Sequence, residues 1–144
     1  MSLRALDTRT RWGVWVLAVG GDLWVLKVAV ITVNDATGRA TDAHPVPAIY
    51  LSAVLLMVIG VTAVGIVVVR RFAWWAQVLG ALAGVVALWA LYTVLDGILR
   101  PAFEGVGPSW LQEELGILAT GAICLIGGVL LARRIAREPS AHAI

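Results

Sequence analysis

The chain has 144 residues, of which 60% are hydrophobic and 14% charged, and its mean hydropathy is +0.91. A soluble globular chain is nearer 45–50% apolar and ~25% charged, so this composition excludes an ordinary soluble domain and marks an all-α integral membrane protein. The net charge of +2 and pI near 9.2 do not point to nucleic acid, because the basic residues stand at the ends of apolar segments, where membrane topology accounts for them.

The length is that of one domain. Its single cysteine, Cys124, lies in an apolar segment, so it makes no internal disulfide, and no Cys/His spacing suits zinc. No metal, nucleotide or cofactor signal is present.

Residues 1–11 read as a polar N-terminal arm, with Arg4, Arg9 and Arg11 against Asp7. The apolar run behind it is too long for a signal-peptide h-region and is expected to stay as a first span, 12–33. At ~1.5 Å per residue that span covers ~33 Å, enough for a hydrocarbon core of ~30 Å. It contains Asp22 and Lys27 well inside the apolar run. An ionisable group in hydrocarbon costs a few kcal/mol or more, so each needs a partner, water or a function.

The stretch 34–47 (NDATGRATDAHPVP) is polar and carries two prolines, so the helix ends there. The second span, 48–69, has no charge and stops at Arg70 and Arg71. A short turn makes the second and third spans antiparallel neighbours. The third, 72–99, is longer than a perpendicular crossing needs. It closes on Asp96, Gly97, Arg100 and Pro101. Ser109 is a candidate N-cap for the fourth span, 110–132, with Gln112 in the capping-box position and Glu113 and Glu114 in the first turn. Residues 133–144 form a C-terminal tail that begins with Arg133 and Arg134.

Lys and Arg counts set the orientation. Arg4, Arg9, Arg11, Arg70, Arg71, Arg133, Arg134 and Arg137 fall on one side, Arg39 and Arg100 on the other. The expectation is a four-helix antiparallel transmembrane bundle in the plasma membrane, with both termini cytoplasmic.

This topology gathers the polar groups in the outer half. At ~100° per residue, Trp89, Tyr92, Asp96 and Arg100 share one face of the third span. Gly80 and Gly84 lie opposite, in a G-x-x-x-G pattern that admits a close helix. In the fourth span Glu113, Gly116, Thr120, Cys124 and Gly127 share a face. In the first, Gly13, Gly20, Trp24, Lys27, Ile31 and Asn34 do. Asp22 lies ~140° from Lys27, too far round for a direct intrahelical pair. Lys27 is within reach of Asp96 or a glutamate of the fourth span, although its long stem also permits snorkelling to the outer interface.

The ordinary structural roles are clear. Asp96 and Arg100 make a local i,i+4 pair, Glu113 and Glu114 face the helix dipole, and Trp12, Trp15, Trp74, Trp75 and Trp110 sit in an interfacial belt. The functional readings use the same residues. The first is a binding protein or carrier for an apolar or amphipathic small molecule, lipid or isoprenoid-like. Trp24, Lys27, Trp89, Tyr92 and Arg100 are its candidate binding residues. The second is a membrane-embedded acid–base isomerase or cyclase, with Asp22 or Asp96 as acid and Glu113 or Glu114 as base. The third is an assembly subunit, in which Asp22 pairs with a basic residue of another chain; the contact with a second copy or another membrane chain would run through Gly80 and Gly84 or through the Asp22 face. The redox cysteine pairs of quinone-linked disulfide-forming proteins, the Arg/Asn/Glu cluster of the eicosanoid and glutathione membrane enzymes and a potassium-channel filter are all missing. Asp22 stands in a context unlike the first-span glutamate of small multidrug exporters.

Overall fold

A computed structural model describes residues 3–35, 44–70 and 72–137, with side chains described from Thr10 to Ile135. The protein is all-helical over these residues: α1 (Leu3–Asp35), α2 (Val46–Val68), α3 (Trp74–Ala102) and α4 (Ser109–Arg137). All four contain stretches long and apolar enough to cross a membrane: Thr10–Asp35, Val46–Val68, Trp74–Ala102 and Ser109–Ile135.

The element ends differ from the sequence expectation in ways that local chemistry explains. The N-terminal arm is the start of α1 rather than a separate segment. Residues 3–11 hold no proline or glycine, so nothing in them breaks the helix. Ser109 is the first residue of α4, not its cap. The carbonyl of Pro108 already accepts the N–H of Leu111 at 3.0 Å. Glu113 and Glu114 consequently fall in the second turn. The third helix runs on through Pro101 because a proline late in a helix displaces only its last bonds, and the Phe103 N–H still reaches Leu99 O at 3.0 Å. The loop tip 36–43, Arg71 and the tail from 138 onward, all parts of the expected connections and tail, lie outside the described residues.

Helices α1 and α3 each pack against α2 and α4, so the four form a ring with α1 diagonal to α3. Glycines set the closest approaches. A Cβ at Gly21 would stand 2.5 Å from Gly121 O, and one at Gly121 would stand 2.9 Å from Gly21 O, so α1 and α4 meet backbone to backbone. Between α2 and α3, a Cβ at Gly65 would overlap Gly80 O, and one at Gly84 would stand 2.6 Å from Val61 O. The Gly80–Gly84 face is thus taken up by α2 of the same chain. Small residues permit such contacts, which supply the dispersion that holds helices together where lipid removes the hydrophobic drive.

Burial is uneven. Val14, Ala18, Trp24, Val28 and Ile31 of α1, with Ala53 and Met57 of α2 and Ile117, Cys124 and Ala132 of α4, form the core. No residue of α3 is fully buried. The expected inward face of α1 is the buried one: Gly13, Gly20, Trp24, Lys27 and Ile31 all point in. On α4 the buried face is turned relative to the expectation. Gly116, Thr120 and Cys124 are buried, but Glu113 and Gly127 are exposed, and Glu114, Gly121 and Gly128 take the inward positions. Gly121 and Gly128 sit against Trp24 and Ala18, and this contact with α1 sets the rotation of α4.

Candidate functional site

The site begins with α1. Trp24 and Lys27 are three residues apart and so share a face, and that face points into the ring. Lys27 is only 6% exposed and Glu114 8%. The lysine Nζ donates to both carboxylate oxygens of Glu114 at 2.6 Å. It also lies 4.8 Å from the centroid of the Tyr50 ring. Lys27 therefore does not snorkel; it finds an acid on the diagonal's neighbour, α4, and an aromatic face on α2. Burying two charges costs several kcal/mol per ion, which attraction at this distance and a π-face offset.

Aromatic rings continue from the ion pair. Trp24 lies parallel to Tyr50, with centroids 6.3 Å apart and planes at 1°. It meets Tyr92 edge-on at 6.3 Å and 63°. Both separations are within the range of favourable aromatic pairs. The indole N–H of Trp24 is buried and has no hydrogen-bond partner among the described residues, although a buried indole N–H normally has one.

Beside these rings is a cavity of about 310 Å³, lined by Trp24, Tyr50, Val54, Met57, Val58, Val85, Leu88, Trp89, Tyr92 and Ile117. Every helix contributes to it. Tyr50 and Trp89, the well-exposed members of the lining, belong to α2 and α3. A second cavity of about 260 Å³ follows, lined by Leu17, Val61, Val64, Gly65, Gly84, Ala87, Leu88, Leu91 and Cys124. On α2 the first cavity uses residues 50–58 and the second residues 61–65, so they succeed one another along the helix. Leu88 lines both.

The residues singled out from the sequence divide into three groups. Trp24, Trp89 and Tyr92 line the first cavity, and Lys27 and Glu114 stand beside it as a pair. Asp96 packs against α4 one turn beyond Tyr92: its Cβ and Oδ1 would each lie 2.7 Å from a Cβ at Gly116. The expected Asp96–Arg100 pair does not form among the described residues, because Arg100 is exposed while Asp96 leans toward α4. Glu113 and Asp22 are exposed and lie away from the cavity. Tyr50 escaped the sequence reading as a binding residue. Its i, i+4, i+7 relation to Val54 and Met57 is the signal that assigns it to an inward face.

Chemically the arrangement is two apolar cavities with a buried, internally neutralised ion pair beside the first. Among the described residues no carboxyl group lines either cavity. The chain matches no family model, no curated protein and no solved structure.

Proposed function

We propose that the protein is a multi-pass plasma-membrane protein that holds an elongated amphipathic molecule, lipid or isoprenoid-like, as a binding protein or carrier. In this reading the helices form an antiparallel bundle with both termini cytoplasmic. The distribution of arginines supports the orientation. The helix registers support the direction, since Gly13 lies against Ala63, Leu17 against Gly60 and Gly20 against Met57. The observation that carries the function is the pair of apolar cavities in series, with Leu88 in the wall of both and Trp24 and Tyr50 at the end beside Lys27. An apolar chain fills the second cavity. A polar end lies among the aromatic rings of Trp24, Tyr50 and Tyr92, next to the Lys27–Glu114 pair. Entry is lateral, on the α2–α3 side, where α3 is least packed and Trp89 is 68% exposed.

The acid–base alternative has less support. Glu114 is engaged by Lys27, Asp22 and Glu113 face outward, and only Asp96 stays near the cavity.

Native mass spectrometry of the gently solubilised protein tests the proposal. A bound mass of lipid or isoprenoid size is expected on the wild type and absent from Leu88→Trp, which puts a larger side chain at the wall the two cavities share. A wild type free of any bound mass in several lipid extracts would refute it.

A further inference from the structure

The outward face of α1 carries Trp12, Trp15, Val19, Asp22, Leu26, Ala29 and Val33, all exposed and spaced alternately by three and four residues. That spacing is the seam of a left-handed helix pair. Asp22 stands at the midpoint of the stretch Thr10–Asp35, roughly 18–20 Å from either end at 1.5 Å per residue. Its side chain is too short to reach an interface from there. It has no hydrogen bond or ion pair among the described residues. The nearest cation along the helix, Lys27, is buried on another face and committed to Glu114. The exposed large side chains at the middle of the other helices are apolar or aromatic: Leu55 and Ile59 on α2, Val86 and Trp89 on α3, Ile123 and Ile126 on α4. A lone chain in a bilayer would hold this carboxyl against hydrocarbon, at a cost of a few kcal/mol or more.

We propose that a second copy of the chain covers this face, with the two α1 helices packed about a twofold axis along the bilayer normal and one Asp22 carboxyl donating its acid O–H to the other at mid-depth. Copies inserted with the same topology carry Asp22 at the same depth. An isologous contact through this face therefore brings carboxyl to carboxyl without any search of register. The flanking seam is apolar on both sides of it. A single polar residue in such a seam fixes register and oligomeric state. In lipid the apolar seam gains little by itself, so the interhelical hydrogen bond is the decisive contact. The Gly80–Gly84 face does not compete, because α2 of the same chain already occupies it.

The test uses the full-length protein in lipid vesicles. In a Cys124→Ala background, Leu26→Cys should form a disulfide with its own copy under copper–phenanthroline oxidation, whereas Leu55→Cys on α2 should not. Förster transfer between labelled copies should show a dimer for the wild type. Asp22→Asn keeps hydrogen-bonding groups and should retain the dimer; Asp22→Leu should weaken it about tenfold, as loss of one interhelical hydrogen bond implies. Thermal melting monitored by tryptophan fluorescence shows that the Leu variant is folded, and the Asn variant serves as a second readout if it is not. A monomeric wild type, a Leu variant that dimerises as well as the wild type, or a different chain cross-linked at Leu26→Cys would each overturn the proposal.

Discussion

Removing the Glu114 carboxylate should leave Lys27 as a buried charge with only a tyrosine face for company. At 2.6 Å and an effective dielectric of ~20, the direct attraction is about 6 kcal/mol. Much of it offsets the desolvation of two ions, so the pair adds little beyond what well-packed apolar residues would give. Breaking it is a different matter, because the surviving charge keeps its desolvation cost. Glu114→Leu alone is expected to destabilise by about 3–5 kcal/mol, and Lys27→Met alone by a similar amount. In a thermal melt this is a fall in Tm of roughly 10–20 °C. The double variant Lys27→Met/Glu114→Leu removes both charges and keeps the volume, so it should recover to within about 1 kcal/mol of the wild type. The assay is tryptophan-fluorescence melting in one detergent for all four proteins, since Trp24 neighbours the pair and reports on it directly. A double variant as unstable as the sum of the two single ones would refute the reasoning. So would a Glu114→Leu protein that melts with the wild type, for that would mean Lys27 escapes to water.

Other perturbations address the cavities and the helix contacts. Leu88→Trp should lower lipid retention in native mass spectrometry by at least tenfold while shifting Tm little, because it fills space that is empty in the free protein. Trp24→Phe removes buried ring volume along with an N–H that has no partner among the described residues, so the ligand-free protein should lose only about 1–2 kcal/mol in the melt; a loss of more than about 4 kcal/mol would show that the N–H has a partner after all. Gly21→Leu should separate α1 from α4 and cost about 1–3 kcal/mol or more, measured by the same melt, since a Cβ there already meets Gly121 O at 2.5 Å.

Several features were legible in the sequence because they depend on one helix at a time. Four runs of apolar residues between charged or proline-bearing stretches are four helices able to cross a membrane, and no tertiary contact is needed to see them. The 100° step per residue likewise separates Asp22 from Lys27 and puts Trp24 with Lys27, and the structure keeps both relations. The same step separates Glu113 from Glu114 on α4. It does not say which of the two turns inward. That depends on how α4 is rotated about its own axis. The rotation is set by Gly121 and Gly128 fitting against Trp24 and Ala18, contacts between residues about a hundred positions apart. For the same reason only the assembled ring shows that Lys27 meets Glu114 rather than Asp96, that Tyr50 stacks on Trp24, and that Leu88 lines both cavities. Periodicity ranks the faces of a helix, but which side chains from two faces meet is decided by packing, where a glycine lets the facing helix approach at its position and a larger residue does not.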